Sequence, residues 1–109
     1  MAIPEITVQE FAARRTNGDA PFLLDVRKQM EADIADIGAD QLIPVQELPH
    51  RIDEVKAEPD QEVVVHCRSG GRSAQAVQML RAAGYTNVLN LKGGTLAWSK
   101  EVDSSVPTY

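Results

Sequence analysis

Three consecutive valines, Val63-Val64-Val65, lead through His66 into Cys67-Arg68-Ser69-Gly70-Gly71-Arg72-Ser73, and this junction restricts the fold more than any other segment. A short, uninterrupted run of β-branched residues reads as a strand buried in a sheet. From Arg72 to Ala83 the spacing turns helical, with Val77 and Leu80 inward and Gly84 as the stop. A strand passing through a tight glycine turn into a helix belongs to the alternating architectures, whose sheets are parallel. The expected fold class is α/β, with a central, mostly parallel sheet flanked by helices on both faces.

The remaining segments keep the alternation. Thr7 and Glu10 have the spacing of a capping box, ahead of a helix whose apolar face is Val8, Phe11 and Ala12 and which Asn17-Gly18 stops. Phe22 to Val26 has strand length, Gln29 to Ala35 is an acidic helical segment, and Leu42-Ile43 is a brief strand before Pro44. Leu48, Ile52 and Val55 fall at helical spacing before the Pro59-Asp60 turn. Val88 to Leu91 is the last strand, and Thr95 to Lys100 a short helix anchored in the core by Trp98. Arg14 and Arg15 place favourable charge near a helix C-terminus. At 109 residues, without linker, repeat or low-complexity stretch, residues 1–109 read as one domain.

In parallel sheets, sites form beyond the carboxyl ends of the strands. Cys67, Asp25 to Arg27 and Lys92 to Thr95 all fall there. Gly70 and Gly71 admit positive φ, so successive backbone amides can converge on one point. The helix that follows adds unpaired N–H donors and the positive end of its dipole. Arg68 and Arg72 add guanidinium groups able to grip an oxyanion through two parallel hydrogen bonds. A free thiol has a pKa of about 8.5, and each unit of depression favours the anion by about 1.4 kcal/mol. A depression of about two units makes thiolate the major form at neutral pH.

Cys67 is thus the candidate nucleophile, and Arg68, Ser69, Gly70, Gly71, Arg72 and Ser73 are the candidate anion-binding residues. A lone cysteine at a strand end is commonly a small buried hydrophobe, and a glycine pair commonly just a turn. Two arginines inside the same segment set this loop apart from both. Asp25 and Arg27 are candidates to orient the loop, and read equally well as a structural ion pair. Lys92 and Thr95 are candidates to hold an anionic donor, and read equally well as solvated residues. His66 faces the other side of the strand from Cys67 and reads as packing or surface rather than as a general base. One cysteine without a second thiol or a histidine pair does not make a metal site, and no metal or organic cofactor is expected.

On these motifs the chain resembles the rhodanese family of single-domain sulfurtransferases over nearly its whole length. Leu23-Leu24-Asp25-Val26-Arg27 is similar to the family's first motif, and Cys67 to Ser73 to its active-site loop. Ala82-Ala83-Gly84-Tyr85 with Asn87-Val88, and Leu91-Lys92-Gly93-Gly94 with Ala97-Trp98, are similar to its closing motif. The middle departs from the family. Where a Gly-His-Ile-Pro-Gly-Ala type segment is usual, this chain has Ala35-Asp36-Ile37-Gly38-Ala39-Asp40 and then Ile43-Pro44.

The resemblance implies a single rhodanese-like domain acting as a thiosulfate sulfurtransferase. Cys67 would take sulfane sulfur from a small anionic donor such as thiosulfate, or from a persulfide, and hold it as its own persulfide. A protein thiol, a low-molecular-weight thiol or cyanide would then collect it. A persulfide carrier module serving partner proteins remains an alternative, as does a phosphatase or arsenate reductase of related fold. Loop length bears on the last. Four residues, Arg68 to Gly71, separate Cys67 from Arg72, one fewer than in those enzymes. One residue contributes up to about 3.5 Å of chain, so this ring is a tighter cup, suited to a sulfur atom more than to a tetrahedral phosphate.

Apolar content of 43% and charged content of 25% are those of an ordinary globular protein. A net charge of −5 argues against nucleic acid and anionic membrane surfaces as partners. A single cysteine cannot form an internal disulfide, which points to a reducing compartment. Met1 to Glu5 lacks a basic stretch followed by an apolar one, and no run has the length of a membrane span. The expected location is cytoplasmic.

Overall fold

The three valines form the middle of a sheet, as a run with no exposed face requires. The computed structural model describes residues 3–109, so Met1 and Ala2 lie outside the described residues. In chain order the elements are β1 (Glu5–Ile6), α1 (Val8–Thr16), β2 (Phe22–Asp25), α2 (Gln29–Ile34), β3 (Gln41–Leu42), α3 (Leu48–Arg51) with a 3-10 turn (Ile52–Glu54), β4 (Val63–His66), α4 (Gly71–Ala82), β5 (Val88–Leu91) and α5 (Gly94–Glu101). The five strands are all parallel, in the order β1-β5-β4-β2-β3. Val63, Val64 and Val65 lie opposite Phe22, Leu23 and Leu24 on one side and Val88, Leu89 and Asn90 on the other.

Alternation along β2 and β4 divides the apolar residues between two cores. Leu24, Val63 and Val65 pack with Leu48, Ala76, Val77 and Leu80 of α3 and α4. Leu23 and Val64 pack with Val8, Phe11 and Trp98 of α1 and α5. Helices therefore cover both faces, which is the expected α/β architecture. Phe11 and Trp98 meet edge to face, centroids 6.1 Å apart, and the Arg15 guanidinium lies over both rings. Trp98 is a core anchor.

Arg15 also explains how the atypical Asp36-to-Asp40 segment holds its shape. Its two terminal nitrogens donate to the carbonyls of Ile37 and Gly38. Asp36 accepts the Gly38 amide at 2.7 Å, and Asp40 accepts the Leu23 amide of β2 at 2.8 Å. These side-chain contacts fix the segment against α1 and β2.

The capping box closes as its spacing requires: Thr7 Oγ1 accepts the Glu10 amide at 3.1 Å, and Glu10 Oε1 accepts the Thr7 amide at 3.0 Å. Two elements differ from expectation. β1 has only one buried residue, Ile6, and too little length to show periodicity; it exists by pairing with β5. The helical spacing of Leu48, Ile52 and Val55 yields only one turn of α3 and the 3-10 turn, with Val55 already extended. Gln41 of β3 ends that segment by accepting the Lys56 amide at 2.9 Å and donating to the Glu54 carbonyl at 2.8 Å.

Candidate active site

β4 ends at His66, so Cys67 is the first residue beyond the carboxyl end of the central strand. Gly70 takes φ +113°, a conformation that side-chain-bearing residues hold only with strain, and caps α4. The chain thereby folds back over its own cysteine. Sγ of Cys67 lies 3.1 Å from the Gly70 amide, 3.4 Å from the Ser73 amide and 3.3 Å from Ser73 Oγ. Cys67 is only 1% exposed, and that burial opposes the anion. Hydrogen bonds from the Ser73 hydroxyl and from the amides of Ser73, Gly70 and Ser69 outweigh it, and the thiol pKa falls below its ordinary value.

Ser73 has one proton to give. Its Oγ is 2.5 Å from Asn90 Oδ1, and Asn90 Nδ2 donates to the Gly70 carbonyl at 3.2 Å, which fixes the orientation of the amide. With its proton on Asn90, Ser73 accepts from the thiol; turned to sulfur, it donates to the thiolate. The backbone amides serve the anion in either state.

The loop rests on the first turn of α5. Thr95 and Leu96 donate their otherwise unpaired amides to the carbonyls of Cys67 and Arg68, at 3.0 and 3.1 Å. Thr95 is buried and its Oγ1 donates to the Arg68 carbonyl at 3.4 Å, so it braces the loop from within. Lys92 lies to one side of the loop. It lines an open groove of about 300 Å³ with Thr7, Val8, Gln9, Gly93, Ala97 and Glu101, a set that contains no residue of the cysteine loop.

Both loop arginines are engaged by other parts of the chain. Arg72 forms a two-pronged pair with Glu31 of α2, Nη1 to Oε1 at 2.7 Å and Nη2 to Oε2 at 2.8 Å. The guanidinium holds the Glu31 carboxyl down at about 2, against its partial burial. Arg68 donates from Nε to the Tyr109 carbonyl, and its guanidinium lies 5.4 Å from the centre of the Tyr109 ring.

Asp25 and Arg27 form a sealed ion pair at 2.7 Å, with Arg27 0% and Asp25 1% exposed. Neither bonds to the cysteine loop. Arg27 instead donates to the Glu31 carbonyl and to Tyr109 Oη, so any influence on the loop passes through those two residues. His66 is buried beside Asp25, 3.6 Å away, with neither ring nitrogen hydrogen-bonded among the described residues. Burial lowers its pKa to about 4, so it is neutral at pH 7 and packs as a core residue.

Glu31, Asn90 and Tyr109 join the site without having been singled out in the sequence. Asn90 did carry a signal, as a polar residue inside the apolar strand Val88 to Leu91. Among the described residues no group of three or more His, Cys, Asp and Glu side chains could hold a metal ion, and no helix is long and apolar enough to cross a membrane.

A family model described as a rhodanese-like domain matches residues 7–101. A protein of Allochromatium vinosum named sulfurtransferase is 35% identical over 98 residues, covering 90% of each chain. The maize adenylyltransferase and sulfurtransferase MOCS3-1 is 34% identical over 109 residues, a match covering 95% of this chain and 23% of the maize protein. Several curated relatives are likewise much longer than this chain, which spans 23% to 38% of their length. Among solved structures, the human single-domain sulfurtransferase TSTD1 superposes with a TM-score of 0.76 at 29% identity, covering 92% of this chain and 98% of the human one.

Proposed function

The chain belongs to the rhodanese-like domain family, and we propose that it is a sulfurtransferase moving sulfane sulfur from thiosulfate or a persulfide donor to a thiophilic acceptor through Cys67. The observation that carries this reading is the set of donors around Sγ: the Gly70 and Ser73 amides within 3.4 Å and the Ser73 hydroxyl at 3.3 Å. The Cys67 thiolate attacks the outer sulfur of thiosulfate; the S–S bond breaks, sulfite leaves with its electron pair, and Cys67 holds a persulfide anion. Amides of the loop from Arg68 to Ser73 receive that charged sulfur at no reorganisation cost. A second nucleophile, a thiol or cyanide, then takes the terminal sulfur and returns the thiolate. No step calls on a metal or an organic cofactor.

The short loop and the Arg72–Glu31 pair disfavour phosphoryl or arsenyl chemistry, which needs the arginine turned to a tetrahedral oxyanion. The same pairing favours a second reading, a carrier module loaded and unloaded by partner proteins, whose donors need no oxyanion clamp. The maize relative's name joins an adenylyltransferase to a sulfurtransferase, and a protein acceptor or donor for this chain is proposed on that likeness.

Incubation with thiosulfate or a small hydropersulfide, followed by intact mass spectrometry, is expected to show the gain of one sulfur atom, which cyanide removes. A mass unchanged by every donor would exclude the covalent route.

A further inference from the structure

The fork of Arg72 that a sulfonate-type oxyanion would use is already filled by a carboxylate. Glu31 presents both oxygens to it at 2.7 and 2.8 Å, in the geometry with which guanidinium recognises such anions. Glu31 is itself held in place. Oε1 accepts the Lys28 amide at 3.2 Å at the start of α2, and Oε2 accepts from Tyr109 Oη at 2.9 Å. Tyr109 Oη in turn accepts from Arg27 at 3.0 Å, and Arg27 is locked to Asp25. Arg68, the other guanidinium of the loop, is bonded to the Tyr109 carbonyl and lies over its ring.

Charge follows the same pattern. Arg27 is paired with Asp25 and Arg72 with Glu31, and Arg68 is held on the Tyr109 carbonyl and ring, so neither loop arginine presents an unoccupied fork to a dianion. The chain as a whole carries −5. A dianionic donor must break the Arg72–Glu31 pair and leave the Glu31 carboxylate beside its own charge. A neutral hydropersulfide meets no such demand.

We propose that Glu31 is a specificity-determining residue that occupies the oxyanion position on Arg72 and so directs the site to hydropersulfide donors over thiosulfate. The inference rests on the sulfurtransferase reading and narrows its donor class. The step is balanced without a further reagent. The Cys67 thiolate attacks the outer sulfur of R–S–SH, the S–S bond breaks, RS⁻ leaves with the electron pair, and Cys67 becomes Cys67–S–SH. The chemistry at sulfur is the same for a small-molecule and a protein hydropersulfide.

Loading rates of the full chain from thiosulfate and from 2-hydroxyethyl hydropersulfide, followed by intact mass, test this. Wild type is expected to load faster from the hydropersulfide. Glu31→Gln keeps the shape of the side chain and removes its charge. It should raise the thiosulfate-to-hydropersulfide rate ratio by about tenfold or more, with the gain in the concentration dependence on thiosulfate. Tyr109→Phe loosens Glu31 without touching its charge and should move the ratio the same way by less. A ratio unmoved in folded Glu31→Gln, or in Tyr109→Phe should the first variant not fold, overturns the inference while hydropersulfide loading leaves the covalent reading standing. No loading from either donor overturns both.

Discussion

Replacing Gly94 with alanine is expected to destabilise the fold by about 3 kcal/mol or more and to dislodge the cysteine loop. Gly94 opens α5 at φ +59°, and an added Cβ would lie 2.3 Å from the Cys67 carbonyl oxygen and 2.6 Å from that of Arg68. Both neighbours are backbone, so no flexible side chain can move aside. They are also the carbonyls that accept the Thr95 and Leu96 amides, and relieving the clash by moving the loop would lengthen both bonds. For a domain of this size the melting temperature should drop by roughly 10 °C or more. Sulfur transfer by the folded fraction should fall as well, because the amides under Sγ belong to the displaced loop. Thermal denaturation together with single-turnover loading measures both effects. A Gly94→Ala protein with wild-type melting and loading would contradict the packing described for α5.

Cys67→Ser should leave the protein folded and cut sulfur transfer by at least about a thousandfold. Oxygen replaces sulfur at a site where the Gly70 and Ser73 amides still find an acceptor, so the loop keeps its hydrogen bonds. The smaller atom costs on the order of 1 kcal/mol in packing. A serine hydroxyl is almost wholly protonated at neutral pH, and among the described residues no general base is placed to activate it. His66 is neutral and buried beside Asp25, behind the strand. Thiocyanate production with cyanide as acceptor gives the rate, and circular dichroism checks the fold. Turnover close to wild type would place the chemistry elsewhere in the chain.

Much of the architecture is local, and local features were readable. The fully buried β4, the Thr7–Glu10 capping box and the glycine turn at Gly70 each depend on residues close together in the sequence. The candidate nucleophile Cys67 and the amides around it are local in the same sense, since the hydrogen bonds to Sγ come from within six positions. What escaped the sequence is long-range. Glu31 and Arg72 are 41 positions apart, and Tyr109 reaches Glu31 across 78. Nothing in an acidic helical segment marks one glutamate as the partner of a loop arginine. The role of Thr95 was hidden for a related reason: its position after two glycines suits a ligand contact and a brace under the loop equally. The burial of its side chain favours the brace. The strand β1 had no periodicity to read, because two residues beside β5 are all it contains.

Ionisation of Cys67 by the donors around it underlies the whole mechanism, and an ultraviolet absorbance titration of the thiolate measures it directly. Wild type is expected to titrate below the ordinary thiol value of about 8.5, with loading rates rising through the same midpoint and levelling off above it. Ser73→Ala removes the hydroxyl at 3.3 Å and should move that midpoint upward, since one stabiliser of the anion is gone while burial still opposes it. A wild-type midpoint at or above about 8.5, unmoved by Ser73→Ala, would mean that the converging amides do not stabilise the anion and that burial governs this cysteine.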